Sequence, residues 1–191
     1  MKFNRYPIIS SGAECLVMGY LMRRNILTFK APPNHEGYDL ICIHPGAKEN
    51  GEHLRIQVKS RLATDSPLAF PVRKESLDSF DYLVLVLLNI GNFYGRAKQN
   101  PAPRGACAPI IFTFPQSFVK RHFDGSGSWK KVCLHQLRLD RYRDDRGIEL
   151  IARRLGIEYP KPTCCIVNHR PMELQPTVHV AAKAVRIRKP R

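Results

Sequence analysis

Four polar residues in the first third of the chain have types and spacing that could do chemistry on a phosphate. The stretch from 54 to 60 reads Leu-Arg-Ile-Gln-Val-Lys-Ser. As an extended strand its period of two puts Leu54, Ile56 and Val58 on one face and Arg55, Gln57 and Lys59 on the other. The first face suits a core; the second carries an amide oxygen and an ammonium two residues apart. Upstream, Gly37-Tyr38-Asp39 leads into a second apolar run, Leu40 to Ile43. The segment between the runs is rich in Gly, Pro and Asn, so the two read as antiparallel strands joined by a hairpin. If Asp39 points the same way as Gln57 and Lys59, a carboxylate, an amide oxygen and an ammonium converge on one patch of sheet. That set suits a divalent cation held against a phosphate, because hard cations take oxygen ligands and an ammonium offsets phosphate charge.

A fourth residue belongs to a helix expected over 9–24, with Ser10 or Ser11 as its N-cap. Its apolar face contains Val17, Met18, Leu21 and Met22, and Glu14 begins that series. Burying an unpaired carboxylate costs several kcal/mol, so a buried Glu14 needs a cation or a network of donors. The alternative is a first-turn Glu favoured by the helix dipole and leaning into water. Pro32 and Pro33 stiffen the chain just ahead of Asp39. His35 lies close by, either within reach of the same site or simply exposed on a loop.

The elements needed to position these groups follow in order. A short strand is expected at 26–29 and another at 68–72, then a helical turn at 74–79. The uninterrupted apolar run Tyr82 to Leu88 is that of a central strand covered on both faces. A loop spans 91–105, an apolar strand 109–114, and a helix 116–123 with Phe118, Val119 and His122 on one side. Asp-Gly-Ser-Gly-Ser at 124–128 breaks the pattern, 129–139 could add a strand, and 144–155 is an amphipathic helix built on Ile148, Ile151, Ala152 and Leu155. The expected fold class is α/β, a mixed central sheet flanked by helices. The expected organisation is a core at 1–125, a strand and helix extension packed on it at 126–159, and a basic tail at 160–191.

Composition bounds the partners. In 191 residues, 31 Lys and Arg against 16 Asp and Glu give a net charge of +15, the balance expected of a protein that meets many phosphates. Membrane surfaces and acidic proteins would also fit. The segment 160–191 has seven Lys and Arg against one Glu, and reads either as a mobile arm for a polyanion or as a solvated tail. No apolar run is long enough to span a bilayer and no apolar secretory segment opens the chain, so a soluble, cytoplasmic protein is expected. Cys15 and Cys42 sit in apolar patterns and read as small core residues. Cys164 and Cys165 are adjacent, either a redox pair or an accident of an exposed tail. The cysteines and histidines lack zinc-site spacing, and no P-loop or dinucleotide fingerprint occurs.

The order Glu on a first helix, Gly-Tyr-Asp at one strand and Ile-Gln-Val-Lys-Ser on the next resembles the PD-(D/E)XK nuclease superfamily, whose fold is restriction-endonuclease-like. Ser-Gly-Ala-Glu14, Gly37-Tyr-Asp39-Leu and Ile56-Gln57-Val-Lys59-Ser look most like the group I intron-associated endonucleases, and more distantly like archaeal Holliday-junction resolvases. The likeness covers about residues 10–90. It implies Asp39 as the main metal ligand, Gln57 as a second through its side-chain oxygen, and the Val58 carbonyl completing the protein shell. Lys59 would orient or activate the attacking water, and Glu14 would bind the metal through water or hold a second metal. The implied cofactor is Mg²⁺, with Mn²⁺ an alternative, and the implied partner is DNA, cut endonucleolytically. A homodimer would most simply cut both strands. Gln57 stands where the superfamily usually has an acid, which leaves the site one charge less negative, although the intron-associated branch shares it. Two other readings remain: a nuclease fold that binds nucleic acid without turnover, and a basic protein-interaction module.

Overall fold

The computed structural model describes residues 6–32, 37–48, 51–61, 69–90, 108–126, 130–135 and 137–158. Pro33, His35, the 91–105 loop, Cys164, Cys165 and the 160–191 segment fall outside them. In chain order the elements are α1 (Tyr6–Met22), β1 (Leu27–Lys30), β2 (Leu40–Ile43), β3 (His53–Arg61), β4 (Ala69–Pro71), β5 (Tyr82–Leu87), β6 (Ile110–Pro115), α2 (Gln116–Arg121), β7 (Phe123–Asp124), β8 (Lys131–Cys133) and α3 (Asp144–Arg154). Single 3₁₀ turns lie at Lys74–Ser76 and Asp140–Tyr142.

The apolar run at β5 is the spine. Val84 and Val86 point into one core, and Leu83, Leu85 and Leu87 into another. A strand buried on both faces has no polar side to show, which is why its sequence does not alternate. It lies between β3, to which it is parallel, and β6, to which it is antiparallel. The hairpin β2–β3 and the antiparallel edge β1 complete a five-stranded mixed sheet in the order β1-β2-β3-β5-β6. Helices α1 and α3 cover one face. The other is covered by α2 and a three-stranded sheet in the order β4-β8-β7, packed through Phe70, Phe112, Phe114 and Tyr142. The fold is therefore the expected α/β arrangement. Among the described residues no helix is long and apolar enough to cross a membrane.

Four local expectations are corrected. Helix α1 starts at Tyr6, so Ser10 and Ser11 lie inside it and do not cap it. Its buried stripe is Ala13, Val17 and Leu21, each 0% exposed, whereas Met22 is 46% exposed. The seam is rotated toward Ala13, the smallest residue of the stripe. That rotation turns Cys15 outward, so of the two cysteines only Cys42 is a core residue. Its thiol, buried beside Thr28, is pushed up to about 12 by loss of water. Helix α2 stops at Arg121, and Phe123 belongs to β7.

Helix α3 is held to β6 at its first turn. The Asp144 carboxylate accepts the Ile111 N–H at 3.1 Å, and a bridge joins Phe112 to Arg143. Gly147 makes this approach possible: a Cβ there would lie 2.2 Å from the Tyr142 carbonyl oxygen and 3.0 Å from the Thr113 Cβ. Alanine is the better helix former by about 1 kcal/mol, yet here it meets backbone. We expect Gly147→Ala to lower the unfolding free energy by about 1–3 kcal/mol. A thermal melt of the variant at or above the parent's would refute this packing.

Candidate active site

The site lies where the sheet forks. Strand β2 pairs with only four residues of β3, from Ile43 opposite His53 to Leu40 opposite Ile56. Strand β3 runs on to Arg61 against β5, without β2 beside it. In an extended strand the N–H and C=O of one residue point to the same side, and alternate residues share that side. The Ile56 carbonyl faces β2, where it accepts the Asp39 N–H at 2.8 Å, so the Val58 N–H faces the same way. Past the fork the Asp39 carboxylate stands in for the missing strand and accepts the Val58 N–H at 2.6 Å. The Asp39 carbonyl accepts the Ala31 N–H at 2.8 Å, so β1 and β3 together fix the residue. The Val58 carbonyl lies along the same open edge.

Gln57 and Lys59 emerge on the face away from the α1 core, as the alternation predicts. Both line a cleft of about 790 Å³ whose far wall is built by β4, the 3₁₀ turn after it and Lys130. Gln57 is 7% exposed, and its Oε1 is buried without a hydrogen-bond partner among the described residues. Arg55 shares this face but is engaged: its guanidinium meets both Asp81 carboxylate oxygens at 3.1 Å. Arg61 is engaged too, donating to the Ala69 carbonyl of β4. The walls touch at Gly37, which has φ +98°, and a Cβ there would come 2.2 Å from the Ser79 Cβ. Only glycine fits that contact.

Glu14 is placed on the α1 face of the fork and does not line the cleft. The partner that its position demands is Lys30 at the end of β1, with Nζ 3.1 Å from its carboxylate. Lys30 pairs with Leu40 across β1 and β2, one residue from Asp39. The charges interact across the fork. Burial raises the Asp39 carboxyl above its ordinary value and Glu14 adds to this, against the Val58 N–H, Lys59 and Lys30. Burial lowers the Lys59 ammonium and Arg73 lowers it further, against Asp39.

Asp39 thus brings Lys59 and Glu14 into one electrostatic unit while Gln57 and Lys59 share the cleft. Sequence reasoning missed Lys30, Arg73 and Lys130. Nothing in Phe-Lys-Ala-Pro or in the lysines around 130 marks them, because their roles follow from tertiary placement.

The oxygens that could hold a cation are those of Asp39 and Gln57, the Val58 carbonyl and, from the other face, Glu14. Among the described residues no three of His, Cys, Asp and Glu gather to hold a metal. The residues fit a hard divalent ion on two grounds. A buried amide oxygen without a donor is costly unless something ligates it. A carboxylate disfavoured by burial is restored by a nearby cation.

Without metal, the sign of the Asp39 shift makes its charge a liability. Stability from this group is greatest below about pH 3.8 and is lost as pH rises through the elevated folded value. We expect Asp39→Asn, whose amide oxygen can still accept the Val58 N–H, to melt above the parent at neutral pH in a chelator. The gap should close as pH falls toward 4. Equal melting temperatures across that range would show that the carboxylate is not held against its solvation.

No protein-family model and no curated protein matches the sequence. Among solved structures the chain is similar to a bacterial homing endonuclease, with 15% identity and a TM-score of 0.46 over 79% of this chain and 94% of that one. It is also similar to the Holliday junction resolvase Hjc of Archaeoglobus fulgidus, with 14% identity and a TM-score of 0.41 over 79% of this chain and 98% of that one.

Proposed function

We propose that this chain is a divalent-cation-dependent endonuclease that hydrolyses DNA phosphodiester bonds at the fork between β2 and β3. The observation that carries the reading is the buried Gln57 oxygen, without a hydrogen-bond partner among the described residues, in a cleft shared with Lys59, while the Val58 N–H between them is given to the Asp39 carboxylate. Asp39, Gln57 and the Val58 carbonyl hold the ion. When bound, Mg²⁺ or Mn²⁺ polarises a phosphoryl oxygen and lowers the pKa of water. Lys59, its proton loosened by burial, hydrogen-bonds the attacking water and offsets charge on the scissile phosphate. Glu14 sets the field on the α1 side, and Lys30 holds its carboxylate in place. The net charge of +15 draws a polyanion to the cleft.

One observation favours the second reading, nucleic-acid binding without turnover. Two carboxylates, Glu14 and Asp39, face two ammoniums, Lys30 and Lys59, and the third ligand is a neutral amide. A balanced site attracts a divalent cation weakly.

Purified protein should cut duplex, single-stranded or branched DNA in Mg²⁺ or Mn²⁺. Asp39→Ala and Lys59→Ala should each lower the rate about 100-fold or more, with the far-ultraviolet spectrum unchanged. No cleavage of any substrate with either metal, alongside salt-dependent binding that survives Asp39→Ala, would replace this reading with the second. Lys30→Met, which removes one ammonium, should tighten Mn²⁺ binding several-fold in a calorimetric titration. Weaker binding would mean that Lys30 supports the ion by ordering Glu14.

A further inference from the structure

The far wall of the cleft carries charge that the hydrolytic chemistry does not use. Arg73 follows β4 and opens the 3₁₀ turn Lys74–Ser76, and Lys130 directly precedes β8. The two strands are paired from Ala69 with Cys133 to Pro71 with Lys131, and the Val72 N–H reaches the Lys130 carbonyl at 3.4 Å. The pairing brings both cations into the lining of the cleft that Gln57 and Lys59 also line. The Ser76 hydroxyl donates to the Arg73 carbonyl at 2.9 Å and fixes the turn that carries it.

We propose that Arg73 and Lys130 form a second phosphate subsite, which binds a backbone phosphodiester of the nucleic-acid substrate next to the one cleaved, with Glu75 as the built-in competitor for Lys130. The inference rests on the nuclease reading for the identity of the polyanion, and on the cleft for the rest.

Three cations, Lys59, Arg73 and Lys130, share the lining with one carboxylate, Glu75. Among the described residues no carboxylate pairs with Arg73. Like charges gathered in a concave site repel, and a bound anion removes the repulsion. Glu75 meets Lys130 only at 3.9 Å, with side chains 75% and 46% exposed. Such a pair is worth little in water and yields to a phosphate. The cleft volume of about 790 Å³ far exceeds a single phosphate group, so the fork and the far wall can be occupied together. Arg73 offers the planar fork that phosphate oxygens accept, and Lys130 a point charge beside it.

The test measures affinity of the full chain for labelled duplex DNA in EDTA, where no hydrolysis occurs, across a range of salt. Arg73→Ala and Lys130→Ala should each weaken binding several-fold and flatten the log–log salt slope by about 0.9 per lost contact. Glu75→Gln should tighten binding. Lys74→Ala removes an exposed charge from the same turn but outside the cleft, and should change little. If the cleft variants leave affinity and slope unaltered, or change them no more than Lys74→Ala, the subsite is wrong. Inorganic phosphate at millimolar concentration should compete weakly; competition equal to that of an oligonucleotide would mean a free-phosphate site and overturn the backbone assignment. The two readings fail separately. Loss of subsite binding in the variants, with no cleavage by the parent, sinks only the hydrolytic reading. Cleavage with unchanged binding in the variants sinks only the subsite.

Discussion

A single hydrogen bond organises the site: the Val58 N–H given to the Asp39 carboxylate at 2.6 Å. A strand that outruns its neighbour leaves backbone donors and acceptors facing nothing, and buried backbone groups must be paired. Here β3 outruns β2, and the first donor beyond the fork is satisfied by a charged side chain. The consequence reaches past pairing. A carboxylate used as a surrogate strand is held in the plane of the sheet, partly stripped of water, with a carbonyl of the neighbouring strand beside it. That placement is structural in origin and chemical in effect.

The fork also joins the two faces of the sheet, which a continuous ladder would separate. Glu14 and Lys30 belong to the α1 side, Gln57 and Lys59 to the cleft side, and Asp39 interacts with groups on both. Each element of this arrangement is disfavoured on its own terms. Asp39 resists ionisation, the Lys59 ammonium is destabilised, and the Gln57 oxygen lacks a donor. Thr113 Oγ1 and Asn89 Oδ1 are also buried without a hydrogen-bond partner among the described residues, so what distinguishes the fork is an orphaned amide oxygen close to two perturbed charges.

The sequence displayed the parts of this that depend on period and the parts that depend on residue type. Alternation along β3 separated Leu54, Ile56 and Val58 from Gln57 and Lys59, and the unbroken apolar run of β5 announced a strand covered twice. Glu14 on an apolar stripe demanded a partner, and one exists. The partner's identity was hidden because Lys30 meets Glu14 only when α1 packs against β1, a tertiary contact that neither segment's pattern displays. Arg73 and Lys130 are 57 positions apart and become neighbours only when β4 pairs with β8. The rotation of α1 was hidden for a related reason. Val17, Met18, Leu21 and Met22 form an acceptable helical stripe, and only packing against the sheet selects Ala13, Val17 and Leu21 instead.

The small sheet turns a fork into a cleft. Without β4 and β8, Gln57 and Lys59 would stand on an open sheet face, well solvated, and the pressures that perturb them would vanish. The wall is tied to the β2–β3 side at two places. Arg61, at the end of β3, donates to the Ala69 carbonyl, and the segment before Asp39 presses on Ser79 through Gly37. Gly37 precedes Asp39 by two residues, so the contact that closes the cleft also limits where the carboxylate can go. A side chain at 37 would have to push apart the turn at Ser79 or the head of β2, and either shift would move Asp39 from the Val58 N–H. The glycine therefore acts on the wall and on the position of Asp39 at once, which explains why a residue without a side chain stands at this contact.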